Sequence, residues 1–148
     1  MEKLLFFRTN DKIDSDPTFS IVSPLDPHSA CEFFSRTWKY SLPTSKEAIK
    51  ELLRLNPSCG VFVDGELVCG EFVNGVGYMG MLFTLEEHRG RGYAKIVTTT
   101  LINSAIDHGM VPACAIEMKN IGSQRFHEKL GMRCSHLVDL ITVRKSEF

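Results

Sequence analysis

A chain of 148 residues with 43% hydrophobic content has the size and composition of one globular domain around one core. Its 17 Lys and Arg against 18 Asp and Glu leave a net charge of −1, which argues against nucleic acid or a membrane surface as the main partner. No apolar run is long enough to span a bilayer.

Met1–Arg8 holds too short an apolar stretch for a signal peptide, and Asp11, Asp14 and Asp16 are wrong for a mitochondrial leader. The expected location is the cytoplasm, with the mitochondrion as the alternative. Phe19–Ser23 reads as a short strand. Asp26 then looks like an N-cap with Pro27 at the first helical position, opening a helix toward Trp38. Thr44, with Glu47 three residues later, predicts a capping box on a second helix whose buried face is Ala48, Ile49, Leu52 and Leu53. Asn56-Pro57 ends it. Gly60–Val63 and Glu66–Val73 read as strands joined by Asp64-Gly65, a strong hairpin signal. Asn74-Gly75 predicts a second hairpin into a strand over Val76–Thr84. Tyr93–His108 has apolar residues at Ala94, Val97, Leu101, Ala105 and Ile106, the spacing of one buried helix face. Val111–Met118 is an apolar run of strand length, and a further helix after Asn120 ends at Gly131. Met132–Val143 supplies one or two closing strands. The five cysteines, Cys31, Cys59, Cys69, Cys114 and Cys134, are scattered and odd in number, as expected of thiols in a reducing compartment. No cysteine or histidine spacing supports a metal site.

Arg89-Gly90-Arg91-Gly92-Tyr93-Ala94 stands between the Val76–Thr84 strand and the Tyr93–His108 helix. A strand feeding a glycine turn that opens a helix favours anions, because the first-turn N–H groups lack partners and the helix dipole is positive there. Gly90 and Gly92 admit a phosphate close to the backbone, and Arg89 and Arg91 add full charges. A plain βα connection with two solvated arginines accounts for the same residues. The stretch is neither a P-loop, since Tyr93-Ala94 follows Gly92, nor a dinucleotide fingerprint, since Lys95 stands where a third small residue belongs.

Arg89, Gly92 and Ala94 fill an Arg-x-x-Gly-x-Ala pattern that resembles the coenzyme A pyrophosphate loop of the GNAT N-acyltransferase superfamily. Asn120 to Met132, with Glu128-Lys129-Leu130-Gly131, resembles that superfamily's second signature. A softer likeness over Phe19–Arg133 is to the catalytic half of glycine N-acyltransferases; it includes Phe19–Asp26, Asn56–Val61 and Thr84–Arg89. The resemblance implies an α/β (α+β) GNAT fold, with a mixed, mostly antiparallel sheet of six to seven strands flanked by about four helices. Residues 1–148 form a single domain in this reading, with 1–18 a remnant or extension and the core over 19–145.

The implied activity is transfer of an acetyl or larger acyl group from acetyl-CoA or another acyl-CoA to a primary amine of a small molecule or amino acid such as glycine. The alternatives are acetylation of protein or peptide amines and a non-catalytic coenzyme A-binding domain. By the resemblance, Leu82, Phe83 and Thr84 lie where a strand pairs with the pantetheine arm, and a backbone N–H there serves a developing oxyanion. Arg89, Gly90, Arg91, Gly92, Tyr93, Ala94, Asn120 and Phe126 complete the coenzyme site. Gly80 marks a bulge or a close approach, or relieves packing. Glu87 aligns with the glutamate that glycine N-acyltransferases place before the loop and is the first choice of base. Glu71 is the reserve. His127 stands where many relatives have a general-acid Tyr, and an imidazolium with a pKa of about 6.5 can protonate a departing thiolate. A solvated helix histidine is the simpler account of it. Trp38–Pro43 falls where the superfamily lines its acceptor site. No metal, nucleic acid or membrane partner is expected, and the assembly is a monomer or homodimer.

Overall fold

The computed structural model describes residues 2–8, 20–38, 42 and 44–140. Their order is β1 (Glu2–Arg8), β2 (Ser20–Val22), α1 (Pro27–Thr37), α2 (Ser45–Leu55), β3 (Ser58–Val63), β4 (Glu66–Val73), β5 (Met79–Thr84), a 3-10 turn (Glu86–His88), α3 (Tyr93–Asp107), β6 (Ala113–Glu117), α4 (Ile121–Lys129) and β7 (Arg133–Leu140). The strands form a four-stranded sheet, β2-β3-β4-β5, and a three-stranded sheet, β6-β1-β7, antiparallel throughout. Among the described residues these are seven strands and four α-helices, the α+β class that the sequence implied, arranged as two antiparallel sheets and not as one mixed sheet.

Local signals fix most element ends. Asp26 caps α1 by accepting from the Ser29 N–H at 2.9 Å, with Pro27 following it. Asp64 and Gly65 both take positive φ, 51° and 79°, as the two-residue hairpin between β3 and β4 requires. After α4, the Met132 N–H donates to the His127 carbonyl at 3.1 Å around left-handed Gly131, closing the helix as expected.

Three expectations are corrected. Thr44 makes no capping bond, because its own backbone is already helical (φ −88°, ψ −6°); the Ser45 hydroxyl instead accepts from the Leu42 N–H at 2.8 Å. Val76–Tyr78 belong to a wide turn, not to β5. Asn74 Oδ1 accepts from the N–H groups of Val76 and Tyr78, and Val76 is left 74% exposed. Ahead of the first expected strand stands β1, which pairs with β6 on one side and β7 on the other, so the sheet begins before residue 19.

Two cores hold the layers. Val61, Val68 and Cys69 pack with Val97, Leu101 and Ile102 of α3 and with Ile116 and Met132 from the second sheet's side. Phe33 and Phe34 of α1 pack with Ile49 and Leu53 of α2 and Phe72 of β4, and the Phe34–Phe72 rings meet edge to face at 4.8 Å.

Candidate active site

β5 ends one sheet and β6 ends the other; they are neighbours but are not joined by a ladder. The gap between them is the site. β5 is prepared for it by a bulge. Gly70 pairs with Phe83 and Phe72 with Gly80, so Met81 and Leu82 together oppose the single residue Glu71. Met81 has φ 57°, a left-handed conformation that costs a non-glycine residue about 1 kcal/mol or more and is held here by the surrounding sheet. The bulge takes the backbone of Met81 and Leu82 out of the β4 ladder.

Leu82 borders two cavities. One, of about 610 Å³, runs past Phe83 and Thr84 to the glycine loop and the α3 N-terminus, with Phe126 on its far wall. The other, of about 400 Å³, lies along Gly80 and Met81 on one side and β6 on the other. A chain threaded through the first would deliver its tip at Leu82, facing the second.

The loop fits a diphosphate. Gly90 and Gly92 have φ 76° and 81°, and a Cβ at either would meet nothing within 4 Å, so the space above them is open. Gly92 is the N-cap of α3 and offers no side chain, which leaves the first-turn N–H groups without a side-chain cap. His88 Nδ1, buried beside this cavity, has no hydrogen-bond partner among the described residues. Open glycines, an uncapped helix start and an unsatisfied buried nitrogen suit the phosphates of coenzyme A. Arg89 braces the loop, since its Nε donates to the Thr84 carbonyl at 3.0 Å and its guanidinium lies 5.2 Å over the Phe83 ring. Arg91 is exposed and reaches the Glu87 carbonyl at 3.4 Å. Tyr93 is buried with its ring 6.5 Å from that of His88.

The second cavity is lined by a buried carboxyl and a buried imidazole. Glu71, 1% exposed, accepts from Thr98 Oγ1 of α3 at 2.8 Å. Burial pushes its carboxyl up to about 8, against a smaller lowering by that hydrogen bond. His127, 5% exposed, is far from a solvated helix residue. Its Nδ1 lies 2.7 Å from the Ser123 carbonyl, which can only accept, so Nδ1 carries the proton and Nε2 the lone pair. Burial lowers its pKa, which favours neutral imidazole. Cys59, Cys69 and Cys114 are buried, and burial raises all three thiols, Cys59 to about 12 and Cys69 to about 11. They stay protonated and are poor nucleophiles.

The structure thus brings Leu82, Phe83, Thr84, Arg89, Gly90, Gly92, Tyr93, Ala94 and Phe126 to the first cavity. Glu71 and His127 line the second. Asn120 lies there too, away from the loop, and caps α4 by accepting from the Ser123 N–H at 3.1 Å. Glu87 is exposed in the 3-10 turn and lines neither cavity. Of the expected acceptor segment, Trp38 is half-buried and Leu42 exposed, while Lys39, Tyr40, Ser41 and Pro43 lie outside the described residues. Gly80 opens onto empty space, since a Cβ there would meet nothing within 4 Å; this favours close approach over relief of packing. Sequence reasoning missed His88, Lys95 and Lys129 at the first cavity, and Thr98 behind Glu71. The His88 position was readable from its place next to Arg89; the Thr98 contact spans 27 residues and left no local signal. Among the described residues no group of His, Cys, Asp and Glu could hold a metal, and no helix is long and apolar enough to cross a membrane.

No curated protein matches the chain. An X-ray structure of a Drosophila protein aligns over 92% of this chain and 48% of its own, with TM-score 0.80 and 20% identity. A putative acetyltransferase from the GNAT family of Novosphingobium aromaticivorans aligns over 92% of this chain and 61% of its own, with TM-score 0.72 and 20% identity. AAC(6')-Iy, in complex with the bisubstrate analogue CoA-S-monomethyl-acetylneamine, aligns over 88% of this chain and 99% of its own, with TM-score 0.64 and 18% identity. The chain therefore spans 48% and 61% of the length of the first two, and at these identities the likeness is one of fold. The model of FR47-like proteins matches residues 59–138, more than half of the chain and the stretch from β3 through the glycine loop to β7, so the chain belongs to the FR47-like family.

Proposed function

We propose that this chain is an acyl-CoA-dependent N-acyltransferase that moves an acetyl or larger acyl group from the coenzyme A thioester to a primary amine of a small molecule. The observation that carries the reading is the meeting of two cavities at the Leu82 bulge, an uncapped glycine loop at one end and two buried ionisable groups at the other.

Residues 82–84 lie along the pantetheine arm, and the backbone N–H groups freed at the bulge are placed to stabilise the oxyanion of the thioester carbonyl. The acceptor enters the second cavity as an ammonium ion. Its first proton passes to the Glu71 carboxylate, whose affinity for protons, set by burial, is close to that of an α-amine, about 8. The amine then attacks, the C–N bond forms, and the C–S bond breaks. The second nitrogen proton goes to His127 Nε2 and from there to the departing thiolate, so neutral imidazole accepts before it donates. This order follows from the depressed pKa of His127, which makes imidazolium scarce at neutral pH.

Glu87 is the competing base. It is exposed beside the loop, and it would reach the amine only through water. The motif similarity to glycine N-acyltransferases suggests glycine as an acceptor and supports the choice of an acyl-transfer chemistry; it rests on sequence motifs alone.

The test is release of free thiol from a panel of acyl-CoAs in the presence of amines, followed with a chromogenic disulfide. Amine-dependent release supports the proposal. Binding of coenzyme A without release, with any donor and amine, favours a non-catalytic binder.

A further inference from the structure

The second cavity has two unlike walls. Ser123 and His127 of α4 bring polar side chains to one of them. The other is β5, where Met79, Gly80, Met81 and Leu82 present no polar side chain.

Nothing in the backbone calls for glycine at position 80. Gly80 takes no left-handed φ, and the strained conformation of the bulge falls on Met81. It pairs with Phe72 in the β4 ladder, a place where glycine packs against nothing and weakens the strand. Packing does not exclude a side chain either. At Gly70 a Cβ would come within 2.9 Å of the Phe34 ring, whereas at Gly80 it would meet nothing within 4 Å among the described residues. What glycine leaves here is a bare stretch of apolar wall in a cavity of about 400 Å³.

Resting on the acyl-transfer reading, we infer that the donor carries a linear acyl chain of about four to six carbons laid along β5, and that Gly80 is the specificity determinant that admits it. The coenzyme arm passes Thr84 and Phe83 and brings its thioester to Leu82, so an acyl chain continuing in that line follows β5 toward Met79. At about 3.3 Å per residue, Gly80 lies no more than about 7 Å beyond Leu82. An extended chain advances about 1.2 Å per bond, so the methyl of an acetyl group stops short of Gly80 and a longer chain covers it. At roughly the 30 Å³ that a water molecule occupies for each carbon, six carbons fill less than half of the cavity. The rest is left for the amine on the α4 side, where His127 stands.

The test uses S-ethyl-, S-butyl- and S-hexyl-coenzyme A, thioethers that bind without transferring. They are titrated calorimetrically into the parent, Gly80→Val and Gly80→Ala, with coenzyme A itself as the reference ligand. Burying one methylene brings about a fourfold gain in affinity, so the parent should bind the butyl thioether at least about tenfold more tightly than the ethyl. Gly80→Val should remove most of that gain, and Gly80→Ala, which adds a single methyl group, part of it. Equal affinity of the parent for all three thioethers overturns the inference in favour of acetyl transfer. A gain that both variants keep overturns the assignment to Gly80. Failure of coenzyme A itself to bind the parent overturns the acyl-transfer reading and the inference with it. Thiol release from acetyl-, butanoyl- and hexanoyl-CoA in the presence of amines is read in parallel. Chain-length-selective binding without release from any donor sinks the catalytic reading and leaves the acyl site standing.

Discussion

Glu71→Gln separates the cost of a buried carboxyl from its use. The group ordinarily ionises near 4.5, and burial in the folded chain moves that to about 8. Between these values the folded state holds a proton that the unfolded state has released. Stability from this group is therefore full below pH 4.5 and is lost as pH rises toward 8. At pH 7 the unfolded carboxyl draws the equilibrium toward unfolding by about 3 kcal/mol, since each tenfold step in ionisation is worth about 1.36 kcal/mol. Glutamine keeps an acceptor for Thr98 Oγ1 and cannot ionise. Its buried amide N–H groups add a cost that does not vary with pH. Urea unfolding of parent and variant at pH 5 and pH 7.5 should show the variant gaining on the parent by about 3 kcal/mol across the interval, while amine-dependent thiol release collapses. Parallel pH–stability curves would refute the argument, for they would mean that Glu71 titrates like a solvated carboxyl.

The pH dependence of kcat, measured with an alkylamine acceptor that stays an ammonium ion above pH 8, should rise through about 8 in the parent and lose that step in Glu71→Gln. If the step is lost in Glu87→Gln instead, the base is Glu87. Asn120→Ala should cost about 1 kcal/mol of stability by removing the α4 cap, seen in urea unfolding, with little change in coenzyme affinity. A large loss of affinity would restore Asn120 to the coenzyme site. Alkylation of the native protein should label Cys134, the exposed thiol, and spare Cys59, Cys69 and Cys114, as mass spectrometry of peptides would show. Arg91→Ala should weaken coenzyme binding modestly and reduce its salt sensitivity, because it removes one charge from an exposed site.

What was legible in the sequence was what neighbouring residues decide. Asp26 with Pro27, Asp64-Gly65 and Gly131 each fix a backbone conformation within a few residues, and each stands where it was expected. Thr44 failed at the same scale, because its own backbone is already helical and its hydroxyl makes no capping bond. The glycine loop was legible because a phosphate site needs open backbone at set positions. Pairings between distant segments were not. β1 lies between β6 and β7, more than 100 residues away, and nothing within Leu4–Phe7 announces its partners. The orientation of Glu71 was equally hidden, since it depends on a bulge in β5 and a threonine on α3. His127 read as a surface residue by its polar neighbours on α4, yet the face it shares is turned into the cleft.

Calorimetric titration with coenzyme A tests the central claim, that the Gly90–Ala94 turn cradles its phosphates at the start of α3. The parent should bind at one site. Gly92→Trp, which fills the open space above the turn and strains its left-handed backbone, should give no binding while its far-ultraviolet circular dichroism stays that of the parent. A Gly92→Trp variant that binds coenzyme A as tightly as the parent would contradict the account.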